Sequence, residues 1–230
     1  MERLDKILSI AANLSRSEAK AAIRRCRVEL NGKTVTDPDL KVGECDEIRL
    51  DGETKAYRKF VYIMMNKPEG VVSATEDGRD KTAVDLVTDK GKRRLFPAGR
   101  LDKNTTGFLL LTDDGDFAHR ILSPSKHVEK EYEVTTDKPI PKELEKEFRE
   151  GVDIGDYICK PASLSLIGER EAVVILKEGK YHQIKRMFSA FGIKVESLKR
   201  TRMGNLRIDE SLRPGEYKWL SKDEVVKIAQ

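Results

Sequence analysis

Apolar positions near the start of the chain recur at helical spacing. Leu4, Ile7 and Leu8 predict a short helix with one buried stripe. Ser15 followed three residues later by Glu18 is a capping-box pattern, so SRSEAKAAIRRC predicts a second helix. Val28 and Leu30 then alternate toward Asn31-Gly32, a strong short hairpin signal, and Thr34 and Val35 begin the return strand. Residues 51–59, DGETKAYRK, have no apolar periodicity and predict a linker.

The pattern changes at Phe60. FVYIMM is a short apolar strand ended by Asn66-Lys67-Pro68-Glu69-Gly70, and strand-like runs follow at 71–73, 108–111, 132–135, 172–176 and 193–198. Helices are expected at 116–122, at 141–149, at 181–191 closed by Gly192, and at 221–228 opened by a capping box with Glu224. Gly70 and Gly107 are read as turn positions. Strands and helices at irregular spacing predict an α+β chain: a helix-hairpin domain over 1–50, a linker over 51–59, and a larger domain over 60–230. The larger domain is expected to hold a mixed, mainly antiparallel sheet flanked by helices.

Composition narrows the class. The chain has 230 residues, 37% charged and 38% hydrophobic, which is polar yet sufficient for a core. No apolar run approaches the ~20 residues of a bilayer span, and MERLDKILSI carries acidic charge where a signal peptide has a basic lead and a long apolar stretch, so cytoplasmic residence without a membrane partner is expected. Cys26, Cys45 and Cys159 lie far apart without CxxC or clustered His, which argues for reduced thiols and no metal. The net charge of +4 is segregated: residues 1–36 hold eight Lys or Arg against four acids, and residues 177–207 hold nine against two. Two basic clusters separated by neutral or acidic chain suit a polyanion.

Arg16, Lys20, Arg24 and Arg27 recur at three- or four-residue intervals, a row of cations suited to a phosphate backbone. With RLDKIL, SRSEAKAAIR, VELNGKTVTDPDLKV and DEIRL in order, residues 2 to about 50 resemble the S4 RNA-binding module. The resemblance implies RNA contacts by that row and by Lys33 of the NGK hairpin.

The densest polar constellation is PAGRLDKNTTGFLLLTDDG, where glycines bracket a loop carrying Asp102 among cations. Catalytic groups commonly sit on such loops, although an Asp beside Arg100 and Lys103 also describes a structural ion pair. Together with NKPEGVVS at 66, HRILSP at 119, EKEYEV at 129, EGKYHQIKRMF at 178 and LRPGEYKWL at 212, the segment resembles the RsuA-type pseudouridine synthases across 60–220. That resemblance implies Asp102 as the nucleophile, attacking C6 of uracil or C1′ of ribose, with no cofactor and no metal. It implies Lys185 as the cation paired with Asp102, Arg186 being the neighbouring alternative, and Tyr132 as the aromatic that stacks on the target base. Arg100, Arg186 and His182 are then expected to contact RNA. One departure is visible: many relatives carry an acid two positions after the nucleophile, where this chain has Asn104.

Within the family, YHQIKRM and the short C-terminus resemble the branch acting on 16S RNA of the small ribosomal subunit. The implied partner is ribosomal RNA or a small-subunit assembly intermediate, engaged by a monomer. Competing readings are a non-catalytic ribosome-assembly protein, a large-subunit synthase, and a metal-dependent hydrolase using Asp102 with Asp113, Asp114 and Asp116. Those last three acids precede an expected helix, where the helix dipole favours them.

Overall fold

The computed structural model describes residues 1–43, 45–123 and 128–230; the Pro124 end of HRILSP lies outside the described residues. Two units separate, Met1–Val61 with Thr88–Arg94, and Tyr62–Val87 with Leu95–Gln230. Among the described residues, no helix is long and apolar enough to cross a membrane.

In the first unit, β1 (Glu2–Arg3), α1 (Leu4–Ala11), α2 (Arg16–Arg24), β2 (Val28–Leu30), β3 (Lys33–Thr34), β4 (Lys41–Val42), β5 (Ile48–Leu50) and β6 (Glu53–Thr54) follow in order. The predicted stripe is the core: Leu4, Ile7 and Leu8 pack with Ala22, Ile23 and Val28. Ser15 and Glu18 close the expected capping box on α2. Asn31 and Gly32 both have positive φ, the backbone of the tight β2–β3 hairpin. The expected linker departs from its reading: Glu53–Thr54 pairs with β5 through a second positive-φ turn, Asp51-Gly52. Both strand residues are exposed, so no apolar periodicity marks them.

The second unit holds β7 (Tyr62–Lys67), β8 (Phe96–Pro97), β9 (Thr106–Thr112), α3 (Gly115–Leu122), β10 (Lys130–Thr136), α4 (Leu144–Glu150), β11 (Ser163–Leu166), β12 (Glu171–Leu176), α5 (Gln183–Ser189), β13 (Val195–Met203), β14 (Leu206–Arg207), β15 (Tyr217–Trp219) and α6 (Lys222–Ile228). Its sheet runs β11-β12-β10-β13-β9-β7-β15, with β14 on β13 and β8 on β9. Every pair is antiparallel except β9 with β13. The class is therefore α+β with a mixed, mainly antiparallel sheet, as the pattern predicts. Met64, Phe108 and Leu110 form a core with Phe117 and Ile121 of α3 and Val225 and Ile228 of α6.

Further details differ from expectation: β11 is not among the expected strands, α5 spans Gln183–Ser189 and not 181–191, and β13 runs Val195–Met203 and not 193–198. The run at 71–73 forms only an isolated bridge, Val72 to Thr82. Gly107 is not a turn residue: it lies inside β9 at φ 93, and a Cβ there would stand 2.3 Å from the Arg200 carbonyl oxygen. Only glycine lets the parallel neighbour approach so closely.

Candidate active site

The loop between β8 and β9 carries Asp102, and three contacts fix it before any substrate arrives. Ser73 Oγ donates to the Leu101 carbonyl at 2.9 Å and accepts from the Leu101 amide at 3.0 Å. The Thr105 amide donates to the Asp102 carbonyl at 3.0 Å, closing the turn. Lys67, fully buried at the end of β7, donates to the carbonyls of Pro68, Lys103 and Thr105 at 3.0, 3.3 and 2.8 Å. Burial lowers the Lys67 pKa to about 8, against the opposing pull of Asp102.

Helix α5 supplies the facing side. Lys185 Nζ donates to Asp102 Oδ2 at 2.8 Å and to Asn104 Oδ1 at 2.6 Å. The amide oxygen of Asn104 thus offers the lysine a second acceptor beside the Asp102 carboxylate. Consecutive helix positions diverge, and Arg186 turns away to the Ile154 carbonyl at 2.9 Å and to the Asp156 carboxylate. His182 precedes α5 in the left-handed conformation, at φ 50, with Nε2 3.4 Å from Asp102 Oδ1. Its ring stacks on Tyr181 at a centroid separation of 3.8 Å.

Strand β10 contributes Tyr132, only 8% exposed, and β13 places the Arg200 guanidinium 6.0 Å from its ring centroid. Arg200 Nε donates to the Phe108 carbonyl at 2.7 Å, holding β13 to β9. Lys130 is buried on the same face of β10 as Tyr132, two residues away, and donates to the Val128 carbonyl at 3.0 Å. Burial first, then repulsion by Arg200, lowers its pKa to about 8. Asp102, Arg100, Tyr132, Lys130, His182 and Arg200 all line one cavity of about 600 Å³. A carboxylate reachable from such a space and paired with one cation can act as a nucleophile toward a group placed there.

The structure therefore brings Asp102, Tyr132, Lys185, His182 and Arg100 together, and directs Arg186 toward 154–156. Lys67, Lys130 and Arg200 are missed by periodicity; the signal for them is a cation at an inward-facing position of an apolar strand, as with Arg200 two residues after Leu198. Asp114 caps α3 by accepting from the Phe117 amide and also accepts from the Tyr62 hydroxyl, so it serves the helix start, as its position suggests. In the first unit, Arg16 donates to Asp5 at 2.8 and 2.9 Å and Lys20 stands 3.9 Å from it. Arg27 lies beyond α2 and forks onto Asp51 at 2.8 and 2.5 Å. Arg24 and Lys33 are exposed.

The family model for RNA pseudouridylate synthase matches residues 61–190, and that for the S4 domain matches residues 2–48. The chain belongs to the RNA pseudouridylate synthase family and is a pseudouridine synthase carrying an S4 domain. It is 46% identical to the uncharacterized RNA pseudouridine synthase YtzG of Bacillus subtilis, covering 97% of this chain and 96% of that one. It is 40% identical to ribosomal small subunit pseudouridine synthase A of Vibrio cholerae, over 98% and 99% of the two chains. A crystal structure of a pseudouridylate synthase superposes with a TM-score of 0.69 at 38% identity, covering 99% of this chain and all of that one.

Proposed function

We propose that this enzyme isomerises a uridine of small-subunit ribosomal RNA, with Asp102 as nucleophile, Lys185 as its cation and Tyr132 as the base-stacking wall. The observation that carries the reading is the Lys185–Asp102 pair at 2.8 Å on the wall of a cavity shared with Tyr132. Full-length similarity to small subunit synthases supports the RNA chosen. The target uridine flips out of the RNA at a cost of a few kcal/mol, and its base enters beside Tyr132. Asp102 adds to C6 or C1′, the N1–C1′ bond breaks, the base turns, C5 bonds to C1′, and the bond between Asp102 and the substrate breaks. The C5 proton leaves through Tyr132 and N1 ends protonated, so the carboxylate is regenerated and nothing is consumed.

Arg100 at the cavity mouth, and Arg24 and Lys33 of the S4 unit, hold the RNA backbone by charge without reading its sequence. Arg16, Lys20 and Arg27 add to that field while paired to acids, His182 contacts RNA from just before α5, and Arg186, paired to Asp156, contacts it from the 154–156 side of that helix. The enzyme acts as a cytoplasmic monomer on naked RNA or an assembly intermediate.

The test is carbodiimide-dependent primer extension on small-subunit RNA and on small-subunit particles, with a chelator present. One stop with wild type and none with Asp102→Asn is expected. Tight binding of that RNA with no stop from either protein would overturn the reading.

A further inference from the structure

Tyr181 has no part in the chemistry above, yet it is the most conspicuous aromatic at the cavity rim. It is 76% exposed, whereas Tyr132 inside the same cavity is 8% exposed. Its covered face lies on the His182 ring at 3.8 Å with 19° between the planes. His182 in turn reaches Asp102 at 3.4 Å, and it does so from a left-handed backbone at φ 50. Carboxylate, imidazole and phenol are thus layered outward, and the outermost layer presents a bare π-face to solvent.

We propose that Tyr181 is a stacking platform for the nucleobase adjoining the flipped uridine. The inference rests on the pseudouridine-forming reading of the same cavity and adds a subsite to it. A flipped nucleotide remains tied to its neighbours by the phosphate chain, so one adjoining base is left at the rim without its stacking partner. An exposed tyrosine backed by a second ring offers that base a replacement surface that is independent of sequence, as in other single-stranded nucleic-acid sites. The backing matters: His182 lies 3.4 Å from Asp102, so the platform stands next to the nucleophile and sets the register of the RNA on the enzyme. The exposed Arg100 on the same cavity supplies charge for the phosphate between the two nucleotides. Tyr181 acts through substrate placement and is a positioning residue.

The experiment uses the full-length enzyme and a synthetic stem-loop spanning the uridine mapped by primer extension. Tyr181→Ala is expected to raise KM about tenfold, equivalent to about 1.4 kcal/mol, within the range of one base–aromatic stack; Tyr181→Phe restores it. An abasic nucleotide at the adjoining position, placed 3′ and then 5′ of the target, is expected to remove the difference between wild type and Tyr181→Ala at one of the two. 2-Aminopurine at that same position is expected to be quenched on binding in the Asp102→Asn background and to stay bright when Tyr181→Ala is added. If wild type converts the stem-loop while Tyr181→Ala leaves KM and both quenching signals unchanged, the platform is overturned and the activity stands. If wild type converts no RNA, the reading of the cavity fails and the platform with it.

Discussion

The two units use the same charges in opposite arrangements. In the S4 unit the acid is inside and the cations are outside: Asp5 is buried, and Arg3, Arg16 and Lys20 reach it from the surface. Burial works against ionisation of Asp5, but hydrogen bonds from Arg3 and Arg16 outweigh it and hold the carboxyl below its usual range. In the catalytic unit the cations are inside and the acid is open: Lys67, Lys130 and Arg200 are buried, while the Asp102 side chain is 26% exposed. A carboxylate that joins two helices can be sealed off. One that must meet a substrate cannot, so the rigidity around it has to come from groups sunk beneath it.

The contrast breaks most severely at Asp102. Asp102→Asn keeps the size of the side chain and is expected to fold normally while losing activity by on the order of 10⁴-fold or more in single-turnover assays. Lys185→Met leaves the carboxylate without its cation and is expected to lower kcat by roughly 10²–10³-fold, with less change in RNA affinity. Asp5→Asn tests the other arrangement: its effect should fall on stability, roughly 1–3 kcal/mol by chemical denaturation of the S4 unit, with kcat on saturating RNA retained.

The buried lysines give a pH signature. Lys67 and Lys130 titrate near 8 in the folded protein against 10.5 ordinarily, so between those values the unfolded chain holds more protons. Stability should therefore rise with pH through that window; below about pH 8 both lysines are charged in either state and the cost of burying them is fully present. Denaturation at several pH values should show wild type gaining on Lys67→Met and Lys130→Met by on the order of 1–3 kcal/mol each. A slope shared by all three proteins would assign the effect elsewhere. The smallest effect belongs to the surface: Lys33→Ala and Arg24→Ala should each weaken RNA binding a few-fold and flatten its salt dependence by about one counterion, with kcat unmoved.

Much of this site is legible in the chain because its chemistry sits in local motifs. Gly99 to Asp102 and the 181–186 segment are short, and the divergence of Lys185 from Arg186 follows from helix geometry alone. The S4 cation row is less legible, since spacing shows which residues share a face and not which acids meet them. Asp5 and Asp51 lie 11 and 24 positions from the arginines they hold. The buried cations carry little signal for a related reason: Lys67 donates to carbonyls of the 103–105 loop, Arg200 Nε to that of Phe108 and Lys130 to that of Val128, and no pattern of side chains records a carbonyl. Glu53–Thr54 and Ser163–Leu166 escaped because their exposed or alternating short runs carry little apolar signal.

The parallel seam at Gly107 and Arg200 joins a strand made early in synthesis to one made late. Asp102 is synthesised 83 residues before Lys185, and β13, which clamps β9 through the Arg200 contact to Phe108, emerges later still. At roughly 5–20 residues per second, the carboxylate waits about 4–17 s for its cation. During that interval the nascent chain can fold its S4 residues 2–48 before the Asp102–Lys185 pair exists.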